Sequence, residues 1–172
     1  MSLSETEINT AASLLAKLEA GFLPQRLFDQ ITRLHVTATV VCVPLKQTAE
    51  GPQVLLIQRG SGAHDPVWPG YWHLPGGMIR PTDTPGSYRD VFERILQGEM
   101  KGVPLAGEPV FVQTTFADTR RGRELAQIYY VLLEGEPTVG AFFPVDKLPE
   151  PIIEHEPPYV RAALKQAGLD TR

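Results

Sequence analysis

The feature that most constrains the fold is a short strand that stops at a proline and two glycines and is followed by an amphipathic helix. The strand covers residues 71–74, and Pro75-Gly76-Gly77 comes directly after it. Apolar residues then recur at helical spacing over 88–100. Because glycine has no Cβ, the pair predicts a backbone that turns sharply and can approach a phosphate closely.

Strand and helix patterns alternate along the rest of the chain, which predicts an α/β domain with a mixed sheet. Runs rich in β-branched residues at 34–43 and 54–58 indicate a hairpin. Further strands are predicted at 109–116 and 125–133, followed by an apolar stretch at 141–143 and a last helix at 159–167. We expect residues 34–172 to form this domain.

Residues 1–33 are predicted to form an N-terminal helical extension. The first helix has a capping box from Ser4 to Glu7 and Gly21 as its end, and Pro24 opens the second. Both helices carry apolar side chains at helical spacing: Leu14, Leu15, Leu18, Phe22, Leu27, Phe28 and Ile31. These side chains either pack on the core or form the interface of a homodimer.

Composition excludes several classes of protein. The chain has 16 Lys and Arg against 20 Asp and Glu, a net charge of -4, so no nucleic-acid partner is expected. A lone cysteine, Cys42, excludes an intramolecular disulfide and suits a reducing cytoplasm. No apolar run is long enough to cross a bilayer, so we expect a cytoplasmic protein with no membrane partner.

The segment 54–59, then 72–77, then a helix resembles the Nudix (MutT-like) hydrolase superfamily. The resemblance covers about residues 34–165 in layout. It implies an α/β/α sandwich that hydrolyses a nucleoside diphosphate linked to another group, with Mg²⁺ or Mn²⁺ as cofactor. The family signature is G-x5-E-x7-R-E-U-x-E-E-x-G-U, where U is a bulky apolar residue.

The signature is degenerate in this sequence. Starting at Gly77, its first glutamate position falls on Asp83, and a short insertion then brings Arg94 to the arginine position and Glu99 to the last glutamate. Ile95 and Gly98 occupy the two remaining glutamate positions.

A second register, anchored on Gly102, makes Glu99 the first of the glutamate pair and Met100 the second. One helical carboxylate survives in either register. Mg²⁺ or Mn²⁺ is therefore expected to bind weakly, with help from substrate phosphates, or not at all.

The resemblance implies roles for five residues. Glu99 and Asp83 would be the catalytic acids, with Glu99 also the metal ligand. Gly76 and Gly77 would line the phosphate loop, and Arg94 would support the helix.

Three further features are candidates from the residues themselves. Arg59, at a strand end beside the loop, could bind phosphate, and Trp68 in a Pro-rich loop could stack on a base. The cluster of Arg120, Arg121 and Arg123 is either a solvated hairpin tip or a binding site for an anionic group or another protein. The segment Glu154-His155-Glu156 is a less specific candidate for the site.

Two functions remain open from the sequence, beside a third and less favoured one, an interaction scaffold that uses the N-terminal helices and the arginine cluster. The first is hydrolysis of the diphosphate bond of a nucleoside diphosphate derivative, weakened by the lost glutamates. The second is an inactive nucleotide-binding or regulatory module of the same fold. The carboxylate count separates the two and favours impaired chemistry.

Overall fold

The computed structural model describes residues 3–19, 23–60, 67–101, 104–135 and 138–169. It contains four helices and seven strands in these parts of the chain. The helices are α1 (Glu5–Leu15), α2 (Gln25–Leu34), α3 (Arg89–Gly98) and α4 (Pro157–Ala167). The strands are β1 (Thr37–Thr48), β2 (Gly51–Gln58), β3 (Trp72–His73), β4 (Gly76–Met78), β5 (Val110–Thr119), β6 (Gly122–Leu132) and β7 (Ala141–Pro144).

The strands form one mixed sheet in the order β3-β2-β1-β6-β5. β1 runs parallel to β6 and antiparallel to β2, and β4 pairs with the N-terminal half of β1. β7 pairs with β2. The long strand β1 is therefore the centre of the sheet.

The sheet carries a hydrophobic core on each face. On one face Val43, Leu45 and Ile128 pack with Tyr159 and Val160 of α4. On the other face Val40, Cys42 and Leu55 pack with Val91 and Ile95 of α3. Side chains alternate between the two faces of a strand, so β1 contributes to both cores. The predicted α/β/α sandwich with a mixed sheet is confirmed.

The N-terminal helices differ in how they meet this domain. Ser4 caps α1 with the predicted capping box, but α1 has no buried residue, and Ile8, Leu14 and Leu15 are exposed. Of the two alternatives for the extension, packing on the core is therefore not found for α1. α2 begins after Pro24, as predicted, and buries Thr32. The predicted end of α1, Gly21, and its neighbour Phe22 lie outside the described residues.

The hairpin of β5 and β6 is longer than predicted. Thr119 pairs with Gly122, so only Arg120 and Arg121 remain as the turn. We expected a polar tip over 118–123, but the strand pairing continues into it, with Asp118 opposite Arg123.

The glycine pair also differs from the prediction. Gly76 and Gly77 do not form a turn but lie in β4, opposite Val41 and Val40. A Cβ on Gly76 would lie 3.2 Å from the carbonyl oxygen of Val40, and one on Gly77 would lie 3.4 Å from Cγ1 of Val91. The pair therefore allows close packing against β1 and α3.

No helix among the described residues is long and apolar enough to span a membrane.

Candidate active site

The segment between β3 and β4 lies beside the C-terminal end of α3 and the N-terminal end of α4. These two helices pack on opposite faces of the sheet. Glu99 is the C-cap of α3, and Glu156 is the N-cap of α4. The backbone amide of Gly76 donates a hydrogen bond to Oε2 of Glu99 at 2.8 Å. The amide of Leu74 donates to Oε2 of Glu156 at 2.6 Å. Two carboxylates are thus fixed on amides two residues apart in one extended segment.

Burial disfavours the ionised form of both carboxyl groups, because a charged group loses its contact with water. Burial raises the pKa of Glu99, although the Gly76 amide and the positive charge of Arg59 partly oppose this shift. Burial raises the pKa of Glu156 well above its usual value, against the opposing effects of the Leu74 amide and Arg59. Repulsion from the Glu124 and Glu99 carboxylates raises it further. A carboxyl group whose pKa is raised by burial is a stronger base when it is ionised than one exposed to water.

Arg59 is the cation that both carboxylates share. It follows β2 directly, and its backbone amide donates to the carbonyl oxygen of Tyr71 at 2.8 Å. Its charge lowers the pKa of Glu99 and of Glu156 relative to the effect of burial alone. A guanidinium in this place can donate two parallel hydrogen bonds to a phosphate group.

Trp68 stands beside Arg59 but is buried, with 3% of its surface exposed. The guanidinium carbons of Arg59 and Arg121 lie 5.8 and 5.1 Å from the centre of its ring. Its Nε1 donates to Oε2 of Glu154 at 3.2 Å. Trp68 therefore differs from the exposed base-stacking residue expected from its loop, because neighbouring side chains surround the indole.

The arginine cluster is likewise not a fully solvated tip. Arg120 donates from Nε to Oε1 of Glu154 at 2.9 Å and lies over the ring of Tyr71. Arg121 is half-buried against Trp68, and Arg123 is exposed. The hairpin turn is thus attached to the loop before α4.

Asp83 and Arg94 form a separate ion pair. Nη2 of Arg94 lies 3.0 Å from Oδ2 of Asp83 and 2.8 Å from the carbonyl oxygen of Met78, and Nη1 contacts Oδ1. The Arg94 guanidinium holds the pKa of Asp83 below its usual range. This pair connects the segment after β4 to α3, and Asp83 also accepts a hydrogen bond from the amide of Arg80.

A family model of the NUDIX domain matches residues 35–163, which is most of the chain. The chain belongs to the NUDIX family. A search of curated proteins finds no match.

Solved Nudix structures have the same fold at low identity. The NUDIX domain of Shewanella oneidensis NrtR complexed with ADP ribose is 20% identical, with a TM-score of 0.57 over 96% of this chain and 99% of that one. Ap4A hydrolase from C. elegans is 16% identical, with a TM-score of 0.56 over 79% and 100%.

A longer NrtR chain from Shewanella oneidensis is 22% identical, with a TM-score of 0.60 over 76% of this chain. This chain spans 63% of that NrtR chain. NrtR has also been solved in complex with a 27mer DNA. At these identities the comparison shows the Nudix fold alone.

The structure brings together some of the residues predicted for the Nudix site and separates others. Glu99, Gly76 and Arg59 lie together, with Trp68 beside Arg59. Gly77 faces α3, and Asp83 is paired with Arg94. Ile95, at a signature glutamate position, is 3% exposed and belongs to the core between α3 and the sheet.

The residue that sequence reasoning missed is Glu156. It lies in the segment that was considered only as a general candidate, and it is 6% exposed. Pro157 and Pro158 follow it, and a residue directly before a proline is a frequent helix boundary. That signal identifies an N-cap, but not the contact with Leu74, which joins residues 82 positions apart.

The carboxylates at this site are ligands of the chemical type that the divalent cations of Nudix proteins prefer. Mg²⁺ and Mn²⁺ prefer oxygen ligands, and Mg²⁺ is commonly held by one or two carboxylates together with substrate phosphates. Glu99 and Glu156 supply two carboxylates, each bound to an amide through Oε2. Among the described residues no group of three or more His, Cys, Asp or Glu side chains is placed to hold a metal.

Proposed function

We propose that this Nudix protein hydrolyses the diphosphate bond of a nucleoside diphosphate derivative at the site of Glu99, Glu156 and Arg59. The observation that carries the proposal is the pair of buried carboxylates held by the amides of Leu74 and Gly76 beside one arginine. Fold membership alone would not support a reaction, because one fold serves many functions. The arrangement of acid and base groups does.

In the proposed reaction a water oxygen attacks one phosphorus of the diphosphate. The bond from that phosphorus to the bridging oxygen breaks, and two phosphate products leave. Glu156 accepts the proton of the attacking water, for which its raised pKa suits it. Arg59 offsets negative charge on the phosphoryl oxygens that are not attacked.

Glu99 is the residue we propose as the ligand for Mg²⁺ or Mn²⁺, and Glu156 is kept as the base. A bound cation would neutralise the diphosphate and lower the pKa of a coordinated water. Because the protein would supply one carboxylate, substrate phosphates would complete the coordination shell, and affinity without nucleotide would be weak.

Asp83 and Arg94 are proposed as positioning residues. Their ion pair holds the segment after β4 against α3, and α3 carries Glu99 at its end. Asp83 has its carboxylate engaged by Arg94 and by a backbone amide, so we assign it support of the helix rather than chemistry.

The test is a screen of nucleoside diphosphate compounds, including ADP-ribose and diadenosine polyphosphates, with Mg²⁺ and with Mn²⁺. Each compound is followed by chromatography of products and by the shift in melting temperature. Turnover of at least one compound, lost in Glu99→Gln, is expected. Binding of a compound without turnover would contradict the hydrolase and favour the second function.

That second function is an inactive nucleotide-binding module. Two observations favour it: Ile95 is part of the core where the signature has a glutamate, and the similar NrtR domain was solved with ADP ribose. The low identity to NrtR leaves this as the alternative, since Glu99 and Glu156 are both held by backbone amides beside Arg59, and burial raises the pKa of each.

The N-terminal extension, residues 1–33, is proposed to form a homodimer interface. Exposed apolar side chains of α1 include Ile8 at 47%, Leu15 at 51% and Leu18 at 39%. A further apolar group is exposed on β5 and β6, where Phe116 pairs with Leu125. Light scattering of the full chain and of Ile8→Gln with Leu15→Gln tests this. A monomeric parent would contradict it.

We propose that the protein works in the cytoplasm, since its single cysteine, Cys42, is a free thiol inside the core. We also propose no nucleic-acid partner, because the net charge of the chain is -4. A gel-shift assay with duplex DNA tests the second point, and retention of the DNA at physiological salt would contradict it.

A further inference from the structure

A cavity of about 310 Å³ lies between α2 and the turn of the β5–β6 hairpin. Asp29 and Arg33 of α2 line one side of it, and Arg120 and Arg121 of the turn line the other. The cavity is lined by residues from the N-terminal extension and the Nudix domain together. None of its arginines is one of the residues assigned to the reaction above.

The walls of the cavity are held in place by close backbone packing. Gly122 has a φ of +125°, and a Cβ there would lie 2.6 Å from the carbonyl oxygen of Thr32 in α2. Oγ1 of Thr119 donates to the carbonyl oxygen of Gly122 at 2.8 Å and accepts from the amide of Arg121 at 3.2 Å. The turn therefore presents its arginines from a fixed backbone against α2.

The charge of the lining favours an anion. Three guanidinium groups and one carboxylate line the cavity. The carboxylate, that of Asp29, already accepts a hydrogen bond from Gln25 at 2.6 Å, and Arg120 is already paired with Glu154 outside the lining. Arg33 donates to Oε1 of Gln30 at 3.3 Å, and within the described residues it forms no ion pair. Several guanidinium groups around one cavity are suited to a phosphate, because each can donate two parallel hydrogen bonds to it.

The cavity lies next to the proposed active site. Arg121 lines the cavity and lies 5.1 Å from the ring centre of Trp68, and Arg59 lies 5.8 Å from the same ring. The positive charge of Arg59 in turn lowers the pKa of Glu99 and of Glu156. The cavity and the cation of the proposed site, Arg59, therefore lie on either end of a chain of two arginines that contact one indole, Trp68.

We infer that the cavity binds a further phosphate group of the ligand, one that lies beyond the diphosphate. The preferred compounds are accordingly nucleoside diphosphate derivatives with an additional phosphate. This inference rests on the proposed function for the placement of the diphosphate. The additional phosphate can belong to a longer phosphate chain or to a ribose hydroxyl.

Calorimetric titration with two pairs of compounds tests the inference. ADP-ribose is compared with ADP-ribose 2′-phosphate, and ADP with ATP, each with Mg²⁺. In at least one pair the parent is expected to bind the compound with the additional phosphate roughly tenfold more tightly. The pair that shows the preference identifies where the phosphate is attached. Equal affinities in both pairs overturn the inference.

Arg33→Gln is the test variant, with Arg26→Gln as its control. Arg26 lies on α2 and is exposed, but it does not line the cavity. Arg33→Gln is expected to reduce the preference by roughly fivefold or more, and Arg26→Gln to leave it unchanged. An equal reduction in both variants would assign the effect to overall charge and overturn the inference. A preference without any hydrolysis would uphold the cavity and contradict the hydrolase, whereas no binding at all would overturn both.

Discussion

The amide of Gly76 donates a hydrogen bond to Oε2 of Glu99 at 2.8 Å, although the two residues are 23 positions apart. This bond joins β4 to the end of α3 and aligns the one surviving signature glutamate with the strand beside it. Glu156 makes the matching contact from α4, with the amide of Leu74. These two hydrogen bonds hold the carboxylates that the proposed hydrolysis uses.

Glu99→Gln is expected to abolish cooperation between cation and nucleotide. In the parent, Mg²⁺ and ADP-ribose should raise the melting temperature together by more than the sum of their separate effects, because each completes the site of the other. Thermal shifts with each ligand and with both provide the measurement. Glu93→Gln on the exposed side of α3 is the control. Tight binding of Mg²⁺ alone by the parent would place the metal site elsewhere.

Asp83→Asn is expected to destabilise the fold by about 1–3 kcal/mol at pH 7, because it leaves Arg94 without its charged partner. The Arg94 guanidinium lowers the pKa of Asp83. This contribution to the free energy of unfolding is therefore present above the usual value of 3.8 and lost as pH falls through the lowered pKa.

Urea unfolding of Asp83→Asn and the parent at pH 7 and at pH 3 measures the effect. The difference in free energy of unfolding between the parent and Asp83→Asn should be smaller at pH 3 than at pH 7. An equal difference in free energy of unfolding at pH 7 and at pH 3 would show that the charge of the Asp83 carboxylate is not what stabilises α3.

Glu156→Gln is expected to raise stability at pH 8 by on the order of 1 kcal/mol. Burial raises the pKa of Glu156 well above 4.5, so ionisation above that value costs free energy in the folded chain. The parent should therefore lose stability as pH rises through the raised pKa, whereas glutamine does not titrate and can still accept the Leu74 hydrogen bond. Melting temperatures across pH 4 to 9 give the comparison, and parallel curves would refute it.

Gly122→Ala is expected to destabilise the contact of α2 with the hairpin by about 1–3 kcal/mol, since φ is +125° and the new methyl would collide with Thr32. Trypsin should then cut at Arg26 and Arg33 sooner than in the parent. Gly98→Ala is the control, because a Cβ on Gly98 meets nothing within 4 Å. Equal protection of α2 in the two variants would mean that Gly122 does not hold the helix.

Sequence reasoning was most reliable where local pattern decides the structure. The capping box at Ser4 and the helical spacing of Val91 and Ile95 predicted α1 and α3, because caps and amphipathic faces are local properties. The family assignment followed from the segment around Gly76 and Gly77. The conformation of that segment did not, because its extended state depends on pairing with β1.

The contacts that build the site could not be predicted, because they join distant parts of the chain. Glu156 reaches Leu74 across 82 positions, and Trp68 reaches Glu154 across 86. The burial of Trp68 has the same origin, since arginines from β2 and from the hairpin turn pack around its ring. Composition and spacing carry no information about these pairings.

The measurement that tests the central claim most directly is hydrolysis in ¹⁸O-labelled water by the parent and by Glu156→Gln. The nucleoside diphosphate compound with the largest thermal shift serves as substrate, with Mg²⁺ present. We predict one labelled phosphate product from the parent and a kcat lower by about 10²–10⁴-fold in Glu156→Gln, the usual contribution of a general base. An unlabelled product, no turnover by the parent, or an unchanged kcat in the variant would contradict the account.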